Sequence, residues 1–324
     1  MHTASRRRRL LEYLIVLAVA ITLNFMLPRL MPGDPLRNIV GDGIERMSPE
    51  EIAAARARFA LDQPAYVQYL NYWGDLLSGD FGYSYQKKRP VAEMVLAVLP
   101  WTLLLAGSAL LISAVAGILL GAISAWRRAG WTDISLLWSM IALNSLPSFW
   151  LGMLLISVVA VQWRLLPSYG AITPAAGLAG WEKVADIAKH ALLPVITLAI
   201  VSVPNVYITM RYTLLGVLGE DFIRTARAKG LTESAVLFRH VLRNALAPVA
   251  TVLALRLGYA FGGTVVIETV FSYPGLGRLI FDAVSARDYP VMQGAFLLFT
   301  VAVLLSNLLA DLLYPWLDPR TRTA

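Results

Sequence analysis

A short polar segment, residues 221–248, interrupts an otherwise apolar chain and carries a pattern suited to binding a soluble partner. Gly230 can adopt the left-handed conformation that ends a helix, and Thr232 can cap the next helix, with Glu233 close to its N-terminus. The pattern predicts a compact helical elbow between two apolar runs, each long enough to cross a bilayer. The chemistry expected of such an elbow is recognition by a partner.

Motifs of catalysis and of nucleotide binding are missing from the sequence. It contains no Gly-x4-Gly-Lys-Ser/Thr phosphate loop, no His-Glu-x-x-His and no Gly-x-Ser-x-Gly. It has no cysteine, and its histidines, His2, His190 and His240, are far apart. We therefore expect a chain that is not an enzyme, holds no cofactor or metal, and receives its energy from another subunit.

The composition is that of an integral membrane protein. Hydrophobic residues make up 57% of the chain and charged residues only 15%, with a mean hydropathy of +0.62, whereas soluble proteins have roughly a quarter charged residues. The apolar runs lack two-residue alternation, which argues against a β-barrel. We predict an all-α protein with six transmembrane helices, near 10–31, 99–126, 134–162, 191–217, 244–270 and 291–315.

The net charge of +7 and the pI near 9.7 have two explanations, nucleic-acid binding and the enrichment of Lys and Arg in cytoplasmic loops of membrane proteins. The second is favoured, because the cations cluster beside the predicted spans, at 6–9, at 127–128, in the elbow and in the C-terminal tail. Both termini are therefore predicted to be cytoplasmic. The arginines at 6–9 also resemble a signal sequence, but the apolar run continues past Ala20 to Leu27, as in a retained span.

Polar residues inside the apolar runs are candidates for a translocation pathway or its gate, because charge is costly there. Arg211 and Asp311 lie near predicted helix ends, where snorkelling would explain the arginine. Arg256 is halfway along the fifth span and Glu268 near its outer end. Asn144 and Pro147 interrupt the third span. We assign Arg256, Glu268, Asn144 and Pro147 to the pathway or gate; for Arg256 the alternative is a structural ion pair with Glu268 or Asp311.

Prolines within the spans predict kinks, either structural or acting as hinges. Pro147 has this position in the third span, and Pro194 and Pro204 in the fourth.

The segment after the first span predicts a folded extracytoplasmic element. Ser48 and Glu51 have the spacing of a capping box, which opens a helix ending near Phe59. A second helix is predicted from Pro64. Its apolar face is expected either to pack on the transmembrane helices or to dock a substrate-delivering protein, and consists of Tyr66, Tyr69, Leu70, Trp73 and Leu77.

The polar segment resembles the loop that permeases of bacterial ABC importers insert into a groove of their ATPase subunits, with the pattern Glu-Ala-Ala, three residues, Gly, nine residues, Ile-x-Leu-Pro. Arg224-Thr225-Ala226 stands in place of Glu-Ala-Ala, Gly230 is in register, and residues 240–243 replace the last four. The form Phe-Ile-Arg-Thr-Ala-Arg-Ala-Lys-Gly-Leu is similar to that of the dipeptide, oligopeptide and nickel permease branch. Further blocks agree with this branch, at 31–35, 146–152, 271–278 and 287–294.

The resemblance implies a type I ABC-importer transmembrane fold with an extracytoplasmic helical insertion after the first span. It divides the chain into an N-terminal region, 1–94, a permease core of five helices, 95–315, and a cytoplasmic tail, 316–324. It also implies that the elbow couples to the ATPase through Arg224, Thr225, Ala226, Arg227, Lys229, Gly230 and Leu231.

The same resemblance implies the partners. They are a second homologous permease, two ATP-binding subunits that bind ATP and Mg, an extracytoplasmic substrate-binding protein and the lipid of a bacterial inner membrane, with no nucleic acid. The cargo would be a peptide or a related small solute. The alternative is an ATP-independent secondary transporter or channel, which would predict inverted repeats and midplane titratable groups; the sequence shows no convincing repeat.

Overall fold

A computed structural model describes residues 2–30, 34–58, 61, 63–84 and 86–317. The described part is predominantly helical, and its α-helices are α1 His2–Leu30, α2 Pro35–Val40, α3 Pro49–Arg58, α4 Ala65–Leu77, α5 Val91–Trp126, α6 Trp131–Asn144, α7 Ser148–Leu155, α8 Gly180–Leu218, α9 Asp221–Ala228, α10 Glu233–Ala235, α11 Leu242–Val270, α12 Leu276–Ser285 and α13 Tyr289–Leu317. A 3-10 helix occupies Gly41–Arg46, and π-helices occupy Ile156–Gln162 and Val236–Val241. Two short strands, β1 Tyr83–Ser84 and β2 Arg89–Pro90, pair antiparallel. Residues 31–33 of the sequence block at 31–35, and 318–324 of the predicted tail, lie outside the described residues.

Four helical stretches in the described residues are long and apolar enough to cross a membrane: Val91–Trp126, Gly180–Leu218, Glu233–Leu253 and Tyr289–Leu309. A fifth crossing is formed if the bent pair of α6 and α7 counts as one. The first predicted span corresponds to a shorter apolar stretch within α1, Leu11–Met26. The all-helical membrane architecture is confirmed, and the six predicted spans map onto four long stretches, one bent pair and one short stretch.

The third predicted span is broken, not continuous. The helical segments on either side of Pro147 meet at 98°. Ser145 and Leu146 donate their backbone N–H groups back to Ala142 and Leu143, which tightens the end of α6. The residue before a proline is disfavoured in the α conformation, so the helix stops before Pro147 and restarts at Ser148. The interruption predicted at Asn144 and Pro147 is confirmed, and it takes the form of a break between two helices.

The helix α8 runs through both Pro194 and Pro204, so neither proline ends it, and the predicted kinks stay predictions. Both prolines are buried. A membrane helix tolerates proline where neighbouring helices and polar side chains satisfy the freed backbone groups, and α8 packs against α6, α7 and α11. The close packing of α8 therefore prevails over the local tendency of proline to end a helix.

The chain divides into two compact units, one formed by Met1–Thr102 with Pro274–Leu304 and the other by Leu103–Tyr273 with Leu305–Ala324. In the first unit, apolar residues of the start of α5 pack with α12 and the start of α13. Buried Asp288 accepts a hydrogen bond of 2.5 Å from Ser84. The predicted boundary near residue 95, between the N-terminal region and the permease core, stays a prediction. The compact units follow a different division, because each of them joins segments that are far apart in the sequence.

The predicted capping box opens α3 in the first unit. The Ser48 hydroxyl accepts the Glu51 N–H at 3.2 Å, and the Glu51 carboxylate accepts the Ser48 N–H at 2.6 Å. The second of these bonds lowers the pKa of Glu51. The helix predicted from Pro64 is α4, which starts at Ala65.

The apolar face predicted for α4 is divided between two environments. Tyr69 packs edge-on against Phe25, with ring centroids 5.1 Å apart, and its hydroxyl lies 2.7 Å from that of Thr22. Tyr66, Leu70 and Leu77 are exposed instead. One edge of the apolar face of α4 thus packs on α1, and another edge is exposed. The sequence predicted a single face because periodicity shows which residues share a side and not what covers them.

Small residues of α5 allow α8 to approach closely in the second unit. A Cβ at Gly117 would lie 2.5 Å from the Val206 side chain, and one at Gly121 would lie 2.7 Å from the backbone oxygen of Tyr207. A Cβ at Gly107 would meet nothing within 4 Å. The close approach that small residues permit therefore lies in the C-terminal half of α5.

We expect Gly121→Ala to destabilise the protein by about 1–3 kcal/mol, because the new methyl group meets a backbone atom that cannot move independently. Gly107→Ala is the matched control, and it should be neutral or stabilise the helix by up to about 1 kcal/mol. The thermal unfolding midpoints of the two purified variants measure the difference. Equal midpoints would contradict the close contact of α5 with α8.

Candidate functional site

The elbow predicted from the sequence is formed by α9 and the helix that follows it. Gly230 has φ +80°, the left-handed conformation that favours glycine. Its N–H donates to the Arg227 carbonyl at 2.9 Å, and the Leu231 N–H donates to the Ala226 carbonyl at 3.4 Å. These two bonds make a Schellman motif, which ends α9 and turns the chain. The predicted termination at Gly230 is confirmed.

A second set of contacts fixes the start of the next helix. The Thr232 hydroxyl accepts the Ala235 N–H at 3.4 Å, as predicted for an N-cap. Across the turn, the Arg227 guanidinium donates to both oxygens of Glu233, at 2.9 and 3.1 Å. We call this Arg227–Glu233 pair the elbow brace. A bidentate pair fixes orientation as well as distance, so the brace is placed to restrict the angle between the two helices.

The inner side of the elbow is packed into the second unit. Ile223 and Val236 are fully buried, and Ala226 is nearly so. They belong to a cluster with α8 residues such as Met210 and Leu214. Fully burying an aliphatic side chain contributes roughly 1.5–3 kcal/mol, so the elbow is attached firmly to the end of α8.

The outer side of the elbow is exposed and largely cationic. Six of the seven residues predicted to couple lie there, namely Arg224, Thr225, Arg227, Lys229, Gly230 and Leu231. Ala226 points inward, where it anchors α9. Two phenylalanines not singled out from the sequence, Phe222 and Phe238, are also exposed, at 39% and 70%. The outer side therefore combines positive charge with aromatic surface.

A buried polar network lies at the start of α6, beside α8. Arg211 donates to both oxygens of Asp133, at 2.7 and 2.9 Å. Asp133 also accepts hydrogen bonds from the Ser124 hydroxyl at 2.5 Å and the Ala129 N–H at 3.0 Å. The Tyr207 hydroxyl lies 2.6 Å from that of Ser124. The network ties α5, α6 and α8 together, and every oxygen of the carboxylate has a donor.

The explanation of Arg211 by snorkelling is wrong. Its side chain is 11% exposed and that of Asp133 is 4% exposed, so the pair is buried. Asp133 immediately precedes the predicted start of the third span at 134, so its position among the apolar runs did not single it out. The sequence did indicate that Arg211 needs a partner, because an arginine in an apolar run is costly unless it is paired. It did not indicate which residue, since Asp133 lies 78 positions away.

The remaining predicted residues lie in different surroundings. Asn144 accepts a hydrogen bond from the side-chain amide of Asn205 at 3.2 Å, which links α6 to α8. Pro147 precedes α7 at the bend. Glu268 is fully buried near the end of α11, where its backbone carbonyl accepts the Tyr273 N–H at 2.7 Å. Asn144 and Glu268 thus both contribute to contacts within the second unit.

Arg256 is half-buried and turned towards the interior side of α11. Ala245, Val249 and Ile267 lie within about 20° of the same helical direction at 3.6 residues per turn, and all three are fully buried. Leu255, on a different side, is 52% exposed. Among the described residues Arg256 makes no ion pair, so the structural pairing with Glu268 or Asp311 is not observed there.

The elbow, with its rigid turn and its exposed outer side, is suited to binding a partner protein. Within the described ranges no group of three or more His, Cys, Asp or Glu side chains could hold a metal ion. Two features distinguish the second unit. One is the braced elbow with its cationic, aromatic outer side, and the other is the buried network that joins α5, α6 and α8.

Two family models match the chain. One describes the inner membrane component of binding-protein-dependent transport systems and matches residues 117–323. The other describes the N-terminal part of such membrane components and matches residues 6–106. Together they cover the elbow, the buried network and the region of α3 and α4.

Curated relatives align along nearly the whole chain. The dipeptide transport system permease protein DppB of Escherichia coli K12 is 38% identical over 332 aligned positions, covering 97% of each chain. The di/tripeptide transport system permease protein DppB of Pseudomonas aeruginosa UCBPP-PA14 is 38% identical over 93% of each. The glutathione transport system permease protein GsiC of Escherichia coli K12 is 37% identical over 97% of each.

The fold is also found in a solved structure. The crystal structure of an amino acid ABC transporter with histidines matches with a TM-score of 0.53 and 16% identity, covering 68% of this chain and 93% of that chain. This likeness supports the transmembrane fold alone.

We expect Arg211→Met to destabilise the protein by about 3–5 kcal/mol, because it leaves the buried Asp133 carboxylate without its cation. Adding Asp133→Asn should recover part of the loss by removing the charge. Asp221→Asn is the control: it breaks an exposed pair with Arg224, of the kind that contributes about 0–1 kcal/mol. Thermal unfolding of the variants in detergent measures these effects. Equal losses for Arg211→Met and Asp221→Asn would show that the network does not stabilise the second unit.

Proposed function

The chain belongs to the family of inner membrane components of binding-protein-dependent transport systems, and is a multi-pass permease subunit of an ABC importer; we propose that its cargo is a short peptide, imported with energy from ATP hydrolysis in separate subunits. The relatives that transport dipeptides, di/tripeptides and glutathione support this cargo class. Family membership sets aside the ATP-independent alternative.

The braced elbow carries the proposed coupling. In this proposal its outer side sits in a cleft of an ATP-binding subunit, and ATP-driven closure of two such subunits moves it. A movement is transmitted only if the elbow is rigid, and the Schellman turn, the elbow brace and the buried inner side supply rigidity. Driving a two-state gate from about 1:99 to 99:1 takes roughly 5.5 kcal/mol, which a nucleotide-driven partner supplies. ATP and Mg belong to the partner, and the permease itself performs no catalysis.

The elbow faces the cytoplasm in this proposal, and α3 and α4 face outside. The basic residues support this orientation, because Arg224, Arg227 and Lys229 lie on the exposed side of the elbow. Both termini are then cytoplasmic in a bacterial inner membrane. The capping-box helix and the exposed apolar residues of α4 lie where an extracytoplasmic substrate-binding protein delivers its cargo.

A second, homologous permease completes the proposed pathway. Arg256 supports an interior surface that this chain alone does not fill, because it is half-buried, lies on the inward side of α11 and makes no ion pair among the described residues. A charge at the centre of a span costs about 2.5–3.5 kcal/mol on insertion scales. Water in a pathway, or a group on the second permease, would offset that cost. Asn144, Pro147 and Glu268 remain proposed gate residues; Asn144 links α6 to α8, Pro147 precedes α7 at the bend, and Glu268 is buried near the end of α11.

We expect Arg227→Glu to insert and assemble but to lower ATP-driven uptake by roughly tenfold or more, equivalent to about 1.4 kcal/mol of lost coupling. The charge swap Arg227→Glu with Glu233→Arg rebuilds the brace with the opposite polarity. If the brace sets the elbow angle, the swap restores uptake; if Arg227 itself contacts the ATPase, the swap remains uncoupled.

Uptake by vesicles that contain the full complex, together with the amount of ATPase that co-purifies, measures both variants. Arg37→Glu, which reverses a charge on an exposed pair of the first unit, is the matched control. Wild-type uptake by both Arg227→Glu and Gly230→Pro would mean that the elbow does not couple to the ATPase.

We expect Arg256→Met to leave expression intact and to impair uptake or association with the second permease, since Met keeps the bulk but removes the charge. Leu255→Met, on an exposed side of the same helix, is the control and should behave as the wild type. Co-purification of the second permease separates an assembly defect from a transport defect. Normal uptake and assembly of Arg256→Met would remove Arg256 from the pathway.

A further inference from the structure

A polar cavity lies between the end of the third span and the start of the fourth. Its volume is about 490 Å³, and ligand pockets usually have roughly 300–1,000 Å³. The end of the π-helix, the loop that follows it and one residue of α8 line the cavity, namely Ala160, 164–169, Thr173, Pro174 and His190. All of these residues belong to the second unit.

Hydrogen bonds hold the loop of this cavity, residues 163–179, in place. Thr173 donates to the Asp186 carboxylate of α8 through both its N–H and its hydroxyl, each at 2.7 Å. The Gly170 N–H donates to the carbonyl of Phe271, just after α11, at 3.0 Å. The wall of the cavity is therefore fastened to two helices and is a fixed part of the fold.

The buried His190 offers one ring nitrogen to a ligand. Its side chain is 5% exposed, and its Nδ1 lies 2.9 Å from the Asp186 carbonyl oxygen. Because a carbonyl oxygen can only accept, Nδ1 carries the hydrogen, and Nε2 of the neutral ring is left as an acceptor. No hydrogen bond joins Nε2 to the residues that the structure describes. An N–H or O–H group of a ligand would satisfy this acceptor.

Arg164 supplies the cation of the cavity. Its side chain makes no hydrogen bond or ion pair with the described residues, and no Asp or Glu is among the residues that line the cavity. A guanidinium binds phosphate through two parallel hydrogen bonds. Ser168 adds a hydroxyl to the same lining. The cavity thus combines a site for an anion with an acceptor for a hydrogen-bond donor.

The cavity lies at the level of lipid headgroups. The bent crossing of α6 and α7 ends at Gln162, immediately before the loop. The 39 residues of α8 extend over roughly 60 Å at 1.5 Å per residue, about twice the thickness of a hydrocarbon core. The first ten positions of α8 contain four charged residues, which places this end outside the hydrocarbon, namely Glu182, Lys183, Asp186 and Lys189.

Exposed aromatic residues mark the same level. Trp and Tyr are enriched where a membrane protein crosses the boundary between lipid and water. Three such residues lie in the loop and at the start of α8, and all are exposed, namely Trp163, Tyr169 and Trp181. They favour lipid over a soluble protein as the neighbour of this cavity.

We propose that the cavity binds phosphatidylethanolamine, with the lipid phosphate on Arg164 and the headgroup ammonium donating to Nε2 of His190. The apolar part of the lining, Ala160, Leu165 and Leu166, lies beside the glycerol and the first acyl carbons. Phosphatidylcholine has the same phosphate, but its quaternary nitrogen has no hydrogen to donate. The inference goes beyond the proposed function and requires only that the chain is inserted in a membrane. In the orientation proposed above, the lipid belongs to the outer leaflet.

Native mass spectrometry of the complete transporter, delipidated in detergent and titrated with one lipid at a time, tests the inference. The probes are palmitoyl-oleoyl phosphatidylethanolamine and the matching phosphatidylcholine, which differ only in the methyl groups on the headgroup nitrogen. The wild type should bind the ethanolamine lipid at least tenfold more tightly. His190→Leu should lose this preference, whereas His190→Gln, whose amide oxygen is an acceptor, should keep most of it. Arg164→Gln should weaken both lipids about tenfold and leave the preference unchanged.

Lys183→Gln, which removes an exposed cation outside the lining at the start of α8, is the matched control and should bind like the wild type. Because Arg164 is exposed, its variant tests the site even if His190→Leu fails to fold. Equal binding of the two lipids by the wild type, an unchanged preference in His190→Leu, or unchanged affinities in Arg164→Gln would overturn the inference.

Soluble phosphoethanolamine in large excess distinguishes a lipid from a free phosphate ester. A lipid site should retain its phosphatidylethanolamine, whereas full displacement would overturn the assignment to lipid. Displacement by the purified substrate-binding protein would assign the cavity to that protein instead. The titrations contain neither peptide nor nucleotide, so their outcome is independent of the proposed cargo and coupling, which the uptake measurements test.

Discussion

The cost of placing charge in apolar surroundings is the constraint on which the second unit depends. Arg211 and Asp133 meet this cost together, since each neutralises the other and the remaining lone pairs of Asp133 are filled by Ser124 and the Ala129 N–H. A buried pair so completely satisfied fixes the positions of α5, α6 and α8. These positions define the surface on which the elbow rests.

The elbow extends that packed framework beyond its apolar interior. Its inner residues join the same cluster as α8 and α11, while its outer side stays charged and exposed. Because the turn at Gly230 and the brace both restrict the angle between the helices, the elbow packs as one body with α8 and α11. In the proposed coupling, this rigid attachment is what would let a soluble ATPase act on helices that cross the membrane.

Local features were predictable from the sequence, and distant contacts were not. The turn at Gly230 and the capping box at Ser48 each depend on a few neighbouring residues, so residue type and spacing were sufficient. The Arg211–Asp133 pair joins residues on different helices, so residue spacing did not indicate it. The proline at 147 indicated an interruption of the third span, but not its angle of 98°. Hydrophobic periodicity describes single helices and cannot show which polar residues tertiary packing brings together.

Site-specific cross-linking from the elbow tests the central claim most directly. The chain has no cysteine, so a single cysteine at Ser234, in the second helix of the elbow, reacts without background. With a short bis-maleimide in membranes that contain the full complex, we predict a product joining the permease to the ATP-binding subunit, with a yield that changes with nucleotide. The same cysteine at Ser48, in the capping box, should give no such product. A product from Ser48 and none from Ser234 would contradict both the orientation and the coupling role of the elbow.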